Sequence, residues 1–438
     1  TVSLGRRFIA TEIAAPGPAA RAIKAGNDLN QLVVDDGIYQ QNPEPIRFPE
    51  PGLAAANPLR VGDTINNLSG VISYAFGSYR LIPDGPLQRH ATNQRSAAPE
   101  AAAGATLRIA SFNVYNYFNG DGAGGGFPTA RGADTSQELQ RQQRKLVAAI
   151  TAMDADIIGL MEVENDGFGA RSAISQLAGA LNSAAMAGER YNFISTGGSG
   201  IGTDAIAVGL LYRPSAVSPV NPAQVLSSAN SPRDSTGTAL FNDRKNRPAL
   251  AQSFEHRASG ERITLVVNHF KSKGSSCSDT DDPEDPHLQG NCNGVRTRAA
   301  VALAQWLRED PTGVNDTDIL VMGDLNAYSM EDPIQVLAAA GYTTLKRKGS
   351  YTYVYAGESG NLDHALASAS LESKVIKVQD WHINADEPAV LDYNTEFRSA
   401  TQLESLYAPT PYRSSDHDPV IIDLRLGPVF EGGADRVQ

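Results

Sequence analysis

Polar side chains of a few types stand at or near one end of six apolar runs in this sequence. They are Asn113, Glu162, His269, Asp324, Asn326, Asp363, Asp416 and His417. Cleavage of a phosphate ester needs a hard divalent cation, a positioned water, a base for that water, and donors to the non-bridging oxygens. Carboxylates, amides and imidazoles supply these functions, so the set indicates metal-dependent hydrolysis of a phosphate ester.

The oxygen-bearing members of this set are candidate metal ligands. Oxygen ligands suit Mg²⁺ or Mn²⁺, and Mg²⁺ usually keeps several waters and takes only one or two carboxylates. Glu162 and Asn113 meet that need, and Asp416 completes the site. Taken singly, Glu162 is a solvated carboxylate and Asn113 caps a turn. Only together with the other residues do they favour a metal site.

Two further groups are candidates for activating water. In VMGDLNA, Asp324 and Asn326 lie on the same side of an extended chain. Asp324 is predicted to align or deprotonate the water and Asn326 to donate to a phosphoryl oxygen, with an Asx turn as the alternative. His417 with Asp363 has the pattern of a base whose tautomer a carboxylate fixes, against an ordinary surface pair. His417 and Asp324 both remain candidates for the general base.

Basic residues near these positions are candidates for holding phosphate. In VVNHFKSK, Lys271 and Lys273 are predicted phosphate donors, and His269 is a candidate for protonating the leaving oxygen. Arg247, just before an apolar segment, offers a bidentate grip on phosphate. A solvated basic loop is the alternative for the lysines.

The overall charge opposes a polyanionic substrate unless basic residues are concentrated locally. The formal net charge is −12, from 37 Lys and Arg against 49 Asp and Glu. Arg296 and Arg298 begin a predicted helix, where basic groups oppose the helix dipole, so we expect them to contact substrate phosphate. With Arg244 and Lys245 they would supply a positive cleft.

Cys277 and Cys292 are the only cysteines. We favour a disulfide over two free thiols, because exposed thiols are a liability and closing such a loop gains about 3 kcal/mol in the chain-entropy model. Zinc binding is weakly supported without a nearby His pair. A disulfide predicts an oxidising compartment, either extracellular or periplasmic.

The acidic run SDTDDPEDP lies between the two cysteines. Asp279, Asp281 and Asp282 are candidates for holding Ca²⁺, but Glu284 stands where an EF-hand loop needs glycine. We therefore favour a solvated acidic loop.

Two domains are predicted from the length of 438 residues. Short alternating segments in residues 1–95 indicate a small β-barrel or sandwich, 96–105 a linker, 106–427 a catalytic domain, and 428–438 a tail. With 41% apolar and 20% charged residues, the composition predicts a soluble globular protein. No apolar run approaches the length of about 20 residues that crosses a bilayer.

After residue 105, apolar strand-like runs alternate with helical patterns. TSQELQRQQRKLVAAITAM is an amphipathic helix with a capping box at Thr135 and Glu138, and VRTRAAVALAQWLRED and EDPIQVLAAAG are two more, the last ending at Gly341. Polar groups at the ends of buried strands commonly line the ligand crevice of α/β folds. We therefore expect six strands to deliver polar groups to one rim.

Seven motifs in this order, SFNV, LMEVEN, NRPAL, VVNHFKSK, GDLNAY, LDHAL and SSDHDPV, resemble the endonuclease/exonuclease/phosphatase (deoxyribonuclease-I-like) superfamily over about residues 105–426. GLMEVENDG, WHINADEP and YRSSDHDPV look most like its secreted bacterial nuclease branch. The resemblance implies an α/β fold: a four-layer sandwich of two packed β-sheets flanked by helices, with the active site at one rim.

The same resemblance implies roles for the residues of that rim. Metal would be held or flanked by Asn113, Glu162 and Asp416. Asp324 and Asn326 would engage water and phosphate, His417 and Asp363 would pair, and His269 and Arg247 would face the scissile phosphate.

Part of the N-terminal region also resembles that branch. VVDDGIYQQNPEP and LRVGDTINNLSGVISYAFGSYRLIP look like its oligonucleotide-binding (OB-like) β-barrel, here beginning in mid-strand. Tyr74, Phe76 and Tyr79 either stack on bases or pack the barrel, and packing is favoured because few basic residues accompany them.

These observations predict a secreted bacterial nuclease that cleaves extracellular DNA, and RNA as a second substrate, with Mg²⁺ or Mn²⁺ and with Ca²⁺ as an accessory ion. A monomer with no obligate protein partner is expected. One alternative is a phosphatase or phospholipid phosphodiesterase on the same fold. The other is a catalytically retired nucleic-acid-binding protein, which the competent residue at every expected position disfavours.

Overall fold

The computed structural model describes residues 1–186, 189–346 and 349–427, so the predicted tail at 428–438 lies outside the described residues. Its strands are β1 (Arg7–Phe8), β2 (Val33–Val34), β3 (Thr64–Asn66), β4 (Gly70–Ala75), β5 (Ser78–Pro83), β6 (Gln88–His90), β7 (Leu107–Tyr117), β8 (Ile157–Glu164), β9 (Asn192–Phe193), β10 (Ile206–Tyr212), β11 (Val217–Leu226), β12 (Arg247–His256), β13 (Arg262–His269), β14 (Ile319–Asp324), β15 (Tyr342–Thr344), β16 (Tyr353–Tyr355), β17 (Glu358–Gly360), β18 (Asp363–Ser368), β19 (Val375–Asp380) and β20 (Val420–Leu424). Its helices are α1 (Ala10–Ile13), α2 (Pro18–Leu29), α3 (Ser136–Met153), α4 (Ala173–Ala184), α5 (Asn293–Arg308), α6 (Asp332–Ala339), α7 (Ala369–Glu372) and α8 (Ala400–Ser405).

Two six-stranded sheets form the centre of the molecule. One has the order β19-β20-β7-β8-β10-β9 and the other the order β11-β12-β13-β14-β18-β15. In β7 every residue from Leu107 to Val114 is buried, as expected for a strand covered on both faces. The six strands predicted to carry polar ends are all present, as β7, β8, β13, β14, β18 and β20.

Three apolar layers hold the sheets and helices together. Between the sheets, Ile109 and Met161 of one sheet share a cluster with Val267 and Met322 of the other. The outer face of the first sheet packs on α3 and α4, and that of the second on α5 and α6. The predicted four-layer sandwich is therefore confirmed.

The capping of α3 differs in one detail from the predicted capping box. The Thr135 hydroxyl accepts a hydrogen bond from the Glu138 backbone N–H at 3.2 Å. The Glu138 carboxylate accepts from the backbone N–H groups of Asp134 and Thr395, both at 2.7 Å, and not from that of Thr135. The second half of the box is used to tie the helix start to a distant loop.

The N-terminal region does not form the expected OB-like barrel. Among the described residues it has two small sheets, β2-β5-β4 and β3-β6, together with α1 and the twelve-residue helix α2. Helix α2 begins with Pro18 after Gly17, a favoured arrangement because proline at the first helical position needs no hydrogen-bond acceptor. The sequence analysis predicted only short strands in this region, so α2 was not expected.

The three aromatic residues expected to pack inside a barrel lie on the surface. Tyr74, Phe76 and Tyr79 are 64%, 79% and 68% exposed. Tyr74 and Tyr79 contact each other across β4 and β5, with ring centroids 5.1 Å apart. The prediction that they pack a core is wrong, since no closed barrel exists in the described residues to receive them.

Ion pairs join the N-terminal region to the sandwich. Arg6 lies 2.9 Å from Asp386, and Arg60 and Arg95 lie 3.1 Å and 2.6 Å from Glu387, with both acidic side chains fully buried. Residues 96–105 contain no helix or strand, as predicted for a linker. The domain boundaries drawn at 95 and 105 stay a prediction.

The predicted disulfide is present between Cys277 and Cys292, both fully buried. Of the helices in the part of the chain that the structure describes, none is long and apolar enough to span a bilayer.

Candidate active site

Strand register brings the predicted polar residues of the second sheet side by side. β13 and β14 are parallel, with His269 opposite Asp324. β14 and β18 are antiparallel, with Asp324 opposite Asp363. Three neighbouring strands thus end in an imidazole and two carboxylates at the same edge.

The first sheet contributes Asn113 from β7 and Glu162 from β8. The Asn113 side-chain amide donates to Glu162 Oε1 at 3.2 Å and to Asp324 Oδ2 at 3.4 Å. The second contact crosses from one sheet to the other. The rims of both sheets therefore meet at Asn113.

The backbone around these residues is strained. Glu162, Tyr115 and Asn116 have φ angles of 65°, 59° and 52°, in a left-handed region that non-glycine residues seldom adopt. The β7–β8 pairing also shifts register between Asn113 and Tyr117. Such conformations cost on the order of 1–3 kcal/mol each and cluster at functional sites. Here they let the Asn116 backbone N–H donate to Glu162 Oε2 at 3.0 Å.

The donor set fits a hard divalent cation. Burial raises the pKa of Glu162, and the negative charge of Asp416 raises it further. The two carboxylates repel each other, and a bound cation would relieve this repulsion. Glu162 and Asp416 would hold the cation, and Asn113, whose amide oxygen accepts from the Tyr115 backbone N–H at 3.0 Å, would flank it. When bound, a divalent cation at these oxygens neutralises negative charge that develops on a phosphoryl group.

His417 lies between two acidic partners. Its Nδ1 is 2.7 Å from Asp363 Oδ2 and its Nε2 is 3.9 Å from Asp324 Oδ2. Burial opposes the imidazolium, but the charges of Asp363 and Asp416 prevail and hold the pKa of His417 well above its usual value. The Tyr353 ring packs on the imidazole with centroids 4.6 Å apart.

Asp324 and His269 have pKa values shifted by burial. Burial raises the pKa of Asp324 to about 7 although His417 opposes the shift. His269, 3.5 Å from Asp324, has its pKa held well below the usual value by burial and by Arg247 and His417. A neutral His269 is suited to donating a hydrogen bond to a phosphoryl oxygen. Asp324 and His417 are both placed to exchange a proton with water.

Asn326 and Arg247 are anchored to the same backbone carbonyl. The Asn326 amide and Arg247 Nη1 each donate to the Phe270 carbonyl oxygen at 3.1 Å. The Asn326 backbone N–H also donates to Asp324 Oδ1 at 2.8 Å. Arg247 Nε lies 3.2 Å from Asp204, a partner that sequence reasoning missed. These contacts direct both side chains toward the rim that holds Asp324.

The endonuclease/exonuclease/phosphatase family matches residues 110–417, which include every residue of this rim. The chain belongs to the endonuclease/exonuclease/phosphatase family. A domain of unknown function, DUF8508, matches residues 9–92. The comparison with curated proteins finds no match.

Several solved structures are similar to this chain over most of its length. An endonuclease/exonuclease/phosphatase from Bacteroides vulgatus has 15% identity and a TM-score of 0.45, covering 73% of this chain and 98% of its own. A mannosyl-6-phosphatase from Bacteroides thetaiotaomicron has 17% identity and a TM-score of 0.44, with 73% and 99% covered. The human Nocturnin catalytic domain has 15% identity and a TM-score of 0.42, with 72% and 93% covered. The family assignment rests on the matched sequence range and not on these likenesses.

The lysines predicted to bind phosphate differ in availability in this family member. Burial and Arg247 lower the pKa of Lys271 to about 8, and its Nζ donates to Ser275 Oγ at 2.7 Å. Lys273 forms an ion pair with the buried Glu331 and donates to the Gln289 carbonyl oxygen at 2.6 Å. Lys271 is therefore the better placed of the two for substrate.

The two arginines of α5 do not form the expected phosphate-binding pair. Arg296 is fully buried and donates to the carbonyl oxygens of Lys271, Gln289 and Asn291. A phosphate contact does not fit that position, because the guanidinium serves as an internal brace. Arg298 is partly exposed and pairs with Asp234 at 2.9 Å. The amphipathic pattern alone could not tell which face of α5 each arginine takes.

The acidic run in the disulfide loop does not converge on one point. Asp279 pairs with Lys245 at 2.7 Å, and Asp282 accepts from the Gly294 and Val295 backbone N–H groups at the start of α5. Among the described residues, the group of converging carboxylates is instead Asp134, Glu138 and Glu396, whose oxygens lie within 4.8 Å of one another. None of these three was predicted to bind metal.

Two buried residues of the predicted motifs, Asp418 and His364, had no role assigned from the sequence. Asp418 accepts from His382 Nδ1 at 2.8 Å and from the backbone N–H groups of Asn384 and Ala385 at 2.7 and 3.0 Å. His364 Nε2 lies 2.8 Å from the Ala327 carbonyl oxygen, tying β18 to the loop after β14. The WHINADEP motif was the available signal for Asp418, since its partners lie there.

Proposed function

We propose that this protein is a secreted bacterial nuclease that hydrolyses phosphodiester bonds of extracellular DNA with Mg²⁺ or Mn²⁺, and RNA as a second substrate. The observation that carries the proposal is the set of contacts from Asn113 to Glu162 and Asp324, and from His417 to Asp324 and Asp363. It supports an oxygen-rich cation site beside a histidine–aspartate pair. That combination suits cleavage of a phosphate ester.

The residues divide the chemistry among themselves. Asp324 accepts a proton from the attacking water, whereas His417, charged because Asp363 and Asp416 hold its pKa well above the usual value, would first have to lose its own proton. Asp363 orients the imidazole of His417 through Nδ1. Neutral His269, Asn326 and Arg247 donate to the non-bridging phosphoryl oxygens, where negative charge grows during attack.

The proposed location outside the cytoplasm is supported by the disulfide between Cys277 and Cys292. Structural disulfides persist in oxidising compartments and are rare in the reducing cytosol. Both sulfur atoms are buried, so this bond has a structural character.

A phosphatase acting on small esters is the second candidate. Several cations expected to bind a nucleic-acid backbone are committed to other partners: Arg296 to carbonyls, Lys273 to Glu331, and Arg298 to Asp234. A small phosphate ester needs fewer positive contacts than a duplex does.

The deciding experiment compares products from four substrates in Mg²⁺, with and without Ca²⁺. Plasmid DNA, RNA, nucleoside monophosphates and sphingomyelin are incubated with the protein and with the Glu162→Gln variant as the matched control. Nicked and linear plasmid, absent with Glu162→Gln, supports the nuclease. Release of inorganic phosphate with intact plasmid would reject it in favour of the phosphatase, and cleavage of sphingomyelin alone in favour of a phospholipid phosphodiesterase.

A further inference from the structure

The N-terminal segment reaches the region of the active site through β1 and the single turn α1. β1 pairs in parallel with β17, and the Ile9 backbone N–H extends that ladder to the Ser359 carbonyl oxygen at 2.9 Å. Thr11 and Glu12 of α1 are both buried. They lie outside the range 110–417 that matches the family.

The Glu12 carboxylate receives hydrogen bonds from two separate segments of the sandwich. Ser329 donates from its hydroxyl at 2.8 Å and from its backbone N–H at 3.2 Å. Asn361 donates from its backbone N–H at 3.2 Å and from its side-chain amide at 3.1 Å. Lys346 Nζ adds an ion pair at 2.6 Å. Burial disfavours the charge, but Lys346 and these donors hold the pKa of Glu12 below its usual value.

The two segments that Glu12 joins carry residues of the candidate active site. Ser329 lies on the loop after β14, which also holds Asn326 and follows directly from Asp324. Asn361 stands two residues before Asp363, the first residue of β18. The segments also bond to each other directly, since the Leu325 backbone N–H donates to the Leu362 carbonyl oxygen at 2.9 Å. Glu12 fixes them at a second point.

We propose that Glu12 is a positioning residue of the hydrolytic site, bridging Ser329 and Asn361 so that Asp324 and Asp363 both face His417. The inference rests on the proposed function, because its activity test measures the hydrolysis of a phosphate ester. A residue of the N-terminal segment, outside the family match, is then required for full turnover.

A second contact of α1 reinforces the bridge. The Thr11 hydroxyl donates to Glu331 Oε1 at 2.8 Å, and the Met330 backbone N–H donates to the Thr11 carbonyl oxygen at 3.0 Å. Both partners lie on the loop that follows β14. Because the loop is held by α1 at several points, loss of the carboxylate should shift its position without unfolding the chain.

The test compares Glu12→Ala and Glu12→Gln with a matched control, Glu261→Ala. Glu261 also pairs with a lysine, Lys374, and accepts from a backbone N–H, that of Gly427 at 2.8 Å. It precedes β13, whereas His269 ends that strand, so it lies at the opposite end of the sheet.

For Glu12→Ala we expect kcat to fall about 100-fold, since a displacement of about 1 Å at reacting groups costs that much. KM should change by less than about twofold, because the phosphate donors His269 and Arg247 lie on β13 and β12, away from the loop that shifts. Glu12→Gln should lose less, since its amide oxygen still accepts from Ser329. Mn²⁺ affinity measured by calorimetry should be unchanged, because Glu162 and Asp416 lie on other segments. Glu261→Ala should keep the wild-type kcat.

A readout independent of activity separates this inference from the proposed function. The downfield proton resonance of the His417–Asp363 hydrogen bond, assigned by its loss in Asp363→Asn, should move in both Glu12 variants and stay in Glu261→Ala. An unmoved resonance with wild-type kcat in a folded Glu12 variant would overturn the positioning role, as would equal losses in Glu261→Ala. If the wild-type protein hydrolyses none of the phosphate esters, the proposed function fails while the resonance still tests Glu12.

Discussion

Three consecutive residues of the SSDHDPV motif have three different roles. Asp416 raises the pKa of Glu162 and is a candidate metal ligand. His417 turns to Asp363, and Asp418 turns away to His382 and the loop that begins at Asn384. Asp418 is fully buried, and its charge is tolerated because it is paired with His382 on another segment, whereas Asp416 is only partly buried.

Because of this division of roles, the same Asp→Asn substitution should affect metal binding at position 416 and stability at position 418. Asp416→Asn should weaken Mg²⁺ binding and turnover with little effect on stability, because it removes charge from the cation site. Asp418→Asn should lower the free energy of unfolding by about 1–3 kcal/mol, because an amide matches the donors of His382, Asn384 and Ala385 poorly. Denaturant titration and calorimetric Mg²⁺ titration of both variants check this. Equal Mg²⁺ affinities would contradict the assignment of Asp416.

At the residue scale, the sequence predicts the position of a side chain at the end of a strand, but it does not predict which face of a helix a side chain occupies. His269, Asp324 and Asp363 could be placed together because parallel and antiparallel register bring strand ends to one edge. The position of Arg296 could not be predicted, because a rotation of α5 by one residue would move its side chain between the rim and the interior. Glu12 carried no signal, because its partners are separated from it by more than three hundred positions.

At the scale of elements, helix α3 carries a buried cation. Lys145 is 2% exposed and donates to the Tyr412 carbonyl oxygen at 2.9 Å. Burial lowers the pKa of Lys145 from 10.5 to about 7, and the nearby Arg95 adds to the shift. Since the folded-state pKa lies below that of the unfolded chain, the unfolded chain binds more protons between these values. The contribution of Lys145 to stability therefore rises with pH over this window.

Replacing this lysine should make stability less dependent on pH. We expect Lys145→Met to gain stability relative to wild type at pH 7, and the gain to shrink by about 2–3 kcal/mol by pH 9.5, at about 1.4 kcal/mol per pKa unit. Lys24→Met is the control, because Lys24 is partly exposed and pairs with Asp28 within α2. Urea titrations at both pH values measure the difference. A gain that is the same at pH 7 and pH 9.5 would mean that Lys145 is not perturbed by burial.

The loop closed by the disulfide makes its own contribution to the stability of the fold. It closes 15 positions between Cys277 and Cys292, and its Gln289 carbonyl oxygen accepts from Arg296 and Lys273. Replacing both cysteines by serine should lower the free energy of unfolding by about 3 kcal/mol in the chain-entropy model. Guanidinium titrations with and without reductant test this, the double-serine variant being insensitive to reductant. A wild-type protein equally stable in both conditions would contradict it.

Elements were predictable where apolar periodicity was strong. The helix Ser136–Met153 and the strands of the sandwich followed from their patterns. The prediction of an N-terminal barrel was wrong because short alternating segments determine neither the pairing of strands nor the closure of a sheet. Helix α2 was missed although its segment is amphipathic, because the strand-like segments that follow it led to a β assignment for the whole N-terminal region.

At the scale of the whole molecule, the ion pairs of the N-terminal region make it part of the framework around the site. Arg6, Arg60 and Arg95 meet the buried Asp386 and Glu387, and this acidic pair lies next to the loop that Asp418 holds. The N-terminal region is thus coupled to both the Asp418 loop and, through Glu12, the segments before Asp363. Arg6, Arg60 and Arg95 therefore stabilise the fold through these ion pairs and do not serve as phosphate contacts.

This use of cations predicts weak salt dependence for nucleic-acid binding. With a net charge of −12, binding depends on local positive groups. Lys245, Lys273 and Arg298 are each paired with a carboxylate away from the rim. We expect Lys271 and Arg247, which lie at the rim, to be the main phosphate contacts, although Arg247 also pairs with Asp204 through Nε. Each phosphate contact contributes a slope of about −0.9 in a plot of log K against log salt, so the slope should be near −2, well short of the 6–10 contacts of basic DNA-binding proteins.

Binding of a short duplex to Glu162→Gln, measured by fluorescence anisotropy between 50 and 200 mM salt, gives this slope without cleavage. Lys271→Met in the same background should reduce its magnitude by about 1, because one counterion-releasing contact is lost. Lys24→Met, which changes a partly exposed lysine of α2, should leave the slope unchanged. A slope of six or more would place the nucleic acid on a basic surface other than this rim. Strong binding would then be separable from catalysis, because the residues that hold the cation and those that hold the backbone would lie on different faces.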